Sequence, residues 1–147
     1  MKRSRSCAAI SDLTLVDTSA WTRFFRKKPD SPATADEVER LLVENSACYT
    51  QPVFLELVVG TGGSQGVKEL ESDFSALQLL KAGESEWQRA LQIAAALRRK
   101  GLRVDIVDLV VAATATINKV RLLHHDKHFR QIASVSDLRE YSYLSGK

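Results

Sequence analysis

The sequence predicts an α/β fold in which a parallel sheet of four to five strands lies between two layers of helices. Three observations predict it. Short, mostly apolar segments alternate with longer ones whose apolar residues recur every three or four positions, the order expected of strand–helix units. The short segments lack the apolar–polar alternation of a half-solvated strand and suit a sheet covered on both faces. The 147 residues, 44% hydrophobic and 27% charged, suffice for a real core and contain no repeat, low-complexity tract or linker that would divide it.

Each element follows in order. Residues 1–12, rich in Ser and Arg, read as a flexible lead-in that precedes one domain over residues 13–147. Leu13-Thr14-Leu15-Val16-Asp17 reads as the first strand, and Thr18-Ser19 can cap a helix after it. Thr34-Ala35-Asp36-Glu37 fits a capping box, with Val38, Leu41 and Leu42 at helical spacing behind it. Ala47-Cys48-Tyr49-Thr50 is a second strand. Pro52 then opens a helix carrying Val53, Glu56, Leu57 and Gly60, which Thr61-Gly62-Gly63-Ser64 ends. Leu77-Gln78-Leu79-Leu80 is the third strand. Ser85-Glu86-Trp87-Gln88 is a further capping box, leading into Ala90, Ile93, Ala94 and Leu97, with Gly101 as terminator. Residues 107–118 form an Ala- and Val-rich buried helix. Arg121-Leu122-Leu123-His124 is the fourth strand, and Leu138-Arg139-Glu140-Tyr141 a candidate fifth.

Composition narrows the function classes. No apolar run approaches the ~18 residues that span a bilayer, and Cys7-Ala8-Ala9-Ile10 is too short for a signal-peptide core, so a cytoplasmic protein is expected. Cys7 and Cys48 are too few for a disulfide framework and read as unpaired thiols. The net charge of +3 suits a nucleic-acid partner without demanding one.

Four acids stand in apolar surroundings: Asp17 at a strand end, Glu56 within Val53-Phe54-Leu55-Glu56-Leu57-Val58-Val59, Asp108 at the head of Asp108-Leu109-Val110-Val111-Ala112-Ala113, and Asp126 after Leu122-Leu123-His124-His125. Each has an ordinary reading. Asp17 and Asp108 can cap helices, and Asp126 can hold a turn. Glu56 is harder to dismiss, because a mid-helix acid gains nothing from capping. In a parallel sheet the ligand site lies beyond the carboxyl ends of the strands, where Asp17 and Asp126 fall. Converging carboxylates repel one another and call for a cation. Oxygen-only ligands select hard ions such as Mg2+ or Mn2+, whose natural further ligand is a phosphate. That chemistry is phosphodiester hydrolysis without a protein nucleophile.

The stretches Leu15-Val16-Asp17-Thr18-Ser19-Ala20-Trp21, Phe54-Leu55-Glu56-Leu57-Val58-Val59-Gly60, Asp108-Leu109-Val110-Val111-Ala112-Ala113-Thr114-Ala115 and Leu122-Leu123-His124-His125-Asp126-Lys127-His128-Phe129 occur in that order. Together they resemble the PIN-domain nucleases, and more closely the VapC-type toxins of bacterial toxin–antitoxin pairs, over residues 13 to about 135. The resemblance implies a PIN-like three-layer α/β/α fold and a Mg2+-dependent endoribonuclease, with Mn2+ able to substitute. It implies that Asp17, Glu56, Asp108 and Asp126 surround the metal, Asp17 and Asp108 as direct ligands, Glu56 and Asp126 through water or by orienting the nucleophile. It implies an RNA substrate, tRNA or rRNA, an antitoxin that covers the acidic cleft, and a homodimer formed through the apolar face of an early helix. Two departures stand out. The family often has Thr two places before the last Asp, where this chain has His124. Asp105 is an extra acid three residues before Asp108 and shares its face if the helix begins early. Asp105, Ser19, Arg23 and His124 are therefore expected as supporting or RNA-contacting groups.

Other readings carry less weight. His124, His125 and His128 lack cysteine partners and a His-Glu-x-x-His pattern for zinc, and read as a solvent-facing or RNA-contacting cluster. Gly60-Thr61-Gly62-Gly63-Ser64 lacks the Walker lysine and reads as a loop. Asp17-Thr18-Ser19 lacks the second Asp used in covalent phosphoryl transfer. Trp21, Arg23, Phe24, Phe25, Arg26, Lys27 and Lys28 mix aromatic and basic residues as single-stranded RNA binding would require, but the aromatics read better as core. Arg98, Arg99 and Lys100 read as a solvated helix end. A non-catalytic PIN-like binding module and a housekeeping RNA-processing nuclease are the alternatives to the toxin reading.

Overall fold

A computed structural model describes residues 9–145 apart from Lys27 and Pro29. Cys7 and most of the expected lead-in lie outside the described residues. Its last part is not loose: Ile10–Asp12 make one 3-10 turn, closed by Asp12 N–H to the Ala9 carbonyl and Leu13 N–H to the Ile10 carbonyl.

The elements run β1 (Thr14–Val16), α1 (Thr18–Phe25), α2 (Pro32–Val43), β2 (Ala47–Tyr49), α3 (Gln51–Val59), α4 (Ser64–Phe74), β3 (Gln78–Leu79), α5 (Glu84–Arg99), α6 (Ile106–Asn118), β4 (Arg121–His124), α7 (His128–Ala133) and β5 (Arg139–Ser142). The strands form one five-stranded sheet in the order β3-β2-β1-β4-β5. Every pair is parallel, with Leu15 opposite Cys48 on one side and opposite Leu122 on the other. Burial explains why these segments are strands. Leu15, Val16, Cys48, Leu122 and Leu123 are fully enclosed, so both faces of the central strands are covered. Helix α1 packs on α2, α3 on α4, and α5, α6 and α7 on one another. Residues Leu109–Ala115 of α6 are buried without a break; all are apolar but Thr114, whose hydroxyl donates to the Val110 carbonyl.

Several helix boundaries differ from those expected. Helix α2 starts at Pro32 rather than Thr34. Ser31 is the cap, its hydroxyl accepting the Thr34 N–H, and proline's missing donor costs nothing at the first helical position. In α5 the cap is Gly83 and not Ser85, with the Glu86 carboxylate accepting the Gly83 N–H at 3.0 Å. Gly101 does end α5. It takes φ +74°, its N–H bonds the Arg98 carbonyl, and the Leu102 N–H reaches back to Leu97, a Schellman arrangement. Gly62-Gly63-Ser64 ends one helix but also opens another, α4, which sequence reading missed. Its one buried residue, Phe74, meets Trp21 at 4.8 Å, Tyr49 at 5.0 Å and Phe54 at 5.4 Å between ring centroids. These rings place Trp21 in the core: it is 2% exposed, which leaves it no face for RNA, while Phe25, stacked on it, is 43% exposed. Cys48 is a buried free thiol whose pKa burial pushes up to about 12, which makes it inert.

Strand order fixes where a site can lie. From β1 the chain moves outward through β2 and β3, then returns across α5 and α6 to place β4 on the other side of β1. The reversal opens a crevice beyond the carboxyl ends of β1 and β4.

Candidate active site

Asp17 leaves β1 directly into that crevice, its own N–H bonded to the Leu123 carbonyl of β4 at 3.0 Å. It also caps α1. Its Oδ2 accepts the Ser19 N–H at 2.9 Å and the Ser19 hydroxyl at 2.6 Å. The capping and catalytic readings of Asp17 are therefore compatible, because the cap uses one oxygen only. Its Oδ1 is buried and has no hydrogen-bond partner. Burial pushes the Asp17 pKa up to about 6, against the Ser19 hydrogen bonds and with the negative charge of Glu56.

Ser19 does a second job. Its Oγ accepts the His125 N–H at 2.8 Å, which ties the head of α1 to the turn after β4. In that turn Oδ1 of Asp126 accepts the His128 N–H at 3.0 Å. Asp108 enters from the first turn of α6, where the helix dipole favours a carboxylate. Burial, then the charges of Asp17 and Asp126, raise its pKa to about 7, against a hydrogen bond from His128. Glu56, on α3, is exposed, and its Oε1 accepts the Thr18 hydroxyl at 2.6 Å. The four acids thus form a chain of interacting charges, Glu56 to Asp17 to Asp108 to Asp126.

The supporting residues sort themselves by contact. Ser19 lies inside the network. Asp105 does not join it: it is the exposed residue before α6, and its side chain makes no cap bond. Arg23 is occupied, with Nε 3.2 Å from Asp30 and one terminal nitrogen on the Ser19 carbonyl at 3.1 Å. The solvent-facing reading of His124 is wrong, since the ring is fully buried. Its Nδ1 accepts the Asp126 N–H at 3.1 Å, which places the proton on Nε2, donated to Glu140 of β5 at 2.6 Å. Burial lowers its pKa and keeps the ring neutral, as that tautomer requires. His124 fixes the turn that holds Asp126. Sequence reading missed the place of His128 beside Asp108 and Asp126, with Nδ1 3.3 Å and 3.4 Å from their carboxylates. It also missed Thr18 as the partner of Glu56. The one available signal was His128's position two residues after Asp126.

These residues fit a divalent cation. An ionisable oxygen that is buried, unpartnered and close enough to a second carboxylate to raise its pKa costs the fold free energy, and a cation would relieve it. Oxygen donors predominate, as hard ions prefer. Beside the acids, Tyr49, Phe54, Leu55, Trp87 and Ile106 line an apolar groove of about 630 Å³ that reaches Glu56. Leu55, Trp87 and Ile106 are more than half exposed.

Comparison with known proteins supplies the family and the fold. Residues 14–135 match the PIN domain. VapC ribonuclease Mb1587 of Mycobacterium bovis is 32% identical over 135 residues, covering 89% of this chain and 99% of the relative. Ribonuclease VapC21 of Mycobacterium tuberculosis is 35% identical over 63 residues, covering 42% of this chain and 46% of the relative. The fold matches the DNA-bound VapBC structure from Salmonella typhimurium with a TM-score of 0.71 at 21% identity, over 90% of this chain and 98% of that one. VapBC2 of Rickettsia felis, solved with a promoter DNA fragment, matches with a TM-score of 0.70 at 18% identity, over 89% and 98%.

Proposed function

The chain belongs to the PIN-domain family, and on that premise we propose that it is a divalent-metal-dependent endoribonuclease, the toxin of a toxin–antitoxin pair. The observation that carries the reading is the unpartnered, buried Oδ1 of Asp17 beside the raised carboxyl of Asp108. The similarity to VapC ribonucleases over nearly the whole chain supports RNA as substrate.

Asp17 and Asp108 would hold the ion, Mg2+ or Mn2+, with Asp126 and Glu56 beside it. When bound, the cation supplies charge neutralisation at a phosphodiester and a water of lowered pKa. The chain's residues do the rest. Ser19 fixes the rotamer of Asp17 and the position of the turn carrying Asp126. Glu56, steadied by Thr18 and open to solvent, orients the attacking water and accepts its proton. Water attacks phosphorus and the ribose oxygen leaves, with no covalent enzyme intermediate. Cleavage of a tRNA or rRNA would stop translation. The apolar groove beside Glu56 is the surface an antitoxin segment would cover, shielding the carboxylates from RNA. A homodimer in the cytoplasm is part of the same reading. No helix among the described residues is long and apolar enough to cross a membrane.

The test is RNA cleavage by the purified chain, freed of any partner, in EDTA, Mg2+ and Mn2+, beside Asp17→Asn. Metal-dependent cutting that vanishes in the variant supports the reading. A folded wild-type chain that binds neither ion by calorimetry and cuts no RNA overturns it. If a small reading frame lies directly upstream of the gene, coexpression with its product should abolish cutting.

A further inference from the structure

We propose that His128 is a nitrogen ligand of the divalent ion, and that it makes this centre select a first-row transition ion such as Mn2+ over Mg2+. The inference rests on the metal-dependent reading above and goes beyond an all-oxygen set of ligands.

The geometry points to it. Nδ1 of His128 lies 3.3 Å from Oδ2 of Asp108 and 3.4 Å from Oδ1 of Asp126. One donor atom from each of the three residues falls within a sphere of mutual distances no greater than 4.8 Å. Two donors bound to one small ion at about 2.1 Å, and subtending 90–110° at it, stand about 3.0–3.4 Å apart. The imidazole therefore already sits at the separation of neighbouring ligands. The ring is held there from below, because the His128 backbone N–H donates to the same carboxylate, Asp126, that its side chain faces. Beyond Asp108 lies the second observation, the buried Oδ1 of Asp17, which has no partner and whose charge acts on Asp108. Two carboxylates with an imidazole nitrogen within 3.4 Å of each are a mixed oxygen–nitrogen set of ligands.

The chemistry of that set decides the ion. Mg2+ demands near-ideal octahedral oxygen coordination and gives up water reluctantly, so it gains little from an imidazole. First-row transition ions bind nitrogen increasingly well from Mn2+ towards Cu2+. The other two histidines do not compete for the role. Both ring nitrogens of His124 are engaged, by the Asp126 N–H and by Glu140. Nδ1 of His125 faces Thr34 on α2 at 3.3 Å.

The alternative is that His128 only hydrogen-bonds to Asp108 and Asp126, standing in for a cation. The two differ in a spectroscopic signature. Tag-free, full-length protein is stripped of metal, loaded with Mn2+ and examined by electron spin echo for coupling of the ion to a directly bound nitrogen-14. Mn2+ and Mg2+ affinities are measured by calorimetry on the wild type and on His128→Asn. We expect nitrogen coupling in the wild type and none in the variant. Mn2+ affinity should fall about 10- to 100-fold in the variant and Mg2+ affinity by less than about threefold. The wild-type spectrum decides even if the variant folds poorly. Mn2+ bound without nitrogen coupling, or an equal loss for both ions, overturns the proposal and leaves the metal-dependent nuclease standing. A wild-type chain that binds neither ion overturns both.

Discussion

Replacing Asp17 by Asn tests the electrostatic account of the centre without touching RNA. In the metal-free fold the carboxyl is 3% exposed, and its pKa stands at about 6 against an ordinary value of 3.8. At about 1.4 kcal/mol for each tenfold change in proton affinity, the ionised side chain costs the fold roughly 3 kcal/mol. Because the folded pKa is the higher one, the stability is fully present below pH 3.8 and is lost as pH rises through about 6. Asparagine is an equally good helix cap and its oxygen can still accept from Ser19, so the variant keeps the hydrogen bonds and removes the charge. It also relieves Asp108, on which Asp17 acts directly. In EDTA at pH 8 the variant should therefore be more stable than the wild type by about 2–3 kcal/mol, or roughly 5–10 °C in Tm. The gap should close as pH falls towards 4. Adding Mn2+ should reverse the order, since only the wild type gains a full complement of ligands. Thermal melts across pH, with and without metal, check this. An Asn variant that is less stable than the wild type in EDTA at pH 8, or a gap that does not change with pH, would refute the view of Asp17 as a desolvated carboxylate awaiting a cation.

Three further perturbations have expected outcomes. Thr18→Val removes the hydroxyl that steadies Glu56 on the surface; stability should change by less than about 0.5 kcal/mol while RNA cleavage slows about tenfold, read from urea melts and initial rates. His124→Leu leaves the Asp126 N–H and the Glu140 carboxylate without their buried partner; denaturant unfolding should show a loss of about 2–4 kcal/mol. Phe74→Ala empties the centre of the Trp21, Tyr49 and Phe54 cluster and should cost about 3–5 kcal/mol by the same assay, with α4 losing its hydrogen-exchange protection first.

How far the sequence discloses this molecule depends on how much each segment buries. The central strands and α6 were legible because Leu15, Val16, Leu122, Leu123 and the run from Leu109 to Ala115 are covered on all sides and therefore apolar, Thr114 excepted. Helix α4 was not, because only Phe74 goes into the core, and one buried residue in eleven leaves no period to read. Helix α7 has six residues, too few for a period of 3.6 to declare itself. The caps of α2 and α5 were misplaced by two or three residues because several nearby Ser, Thr and Glu side chains satisfy the same pattern, and only tertiary packing selects among them. At the centre, the acids drew notice because each stands among apolar neighbours. The parts played by His124 and His128 could not be seen, because they depend on which residues of β5 and α6 the fold brings to the turn after β4. The basic character of Arg23 suggested RNA, yet Asp30, seven residues on, engages it.

The central place of β1 in the sheet governs the order in which this protein can come into being on the ribosome. Its two neighbours are β2, made soon after it, and β4, which begins at Arg121. At about 5–20 residues per second, the far flank of β1 waits roughly 5–20 s for its partner. For most of that interval the nascent chain holds Asp17 without Asp108, and for all of it without Asp126. A product truncated before β4 lacks Asp126 and exposes the unpaired apolar edge of β1, the kind of surface that chaperones and proteases recognise. The candidate centre is thus complete only once β4 and the turn after it have been made, so a chain that stops short of them yields debris to be cleared and never a partial centre.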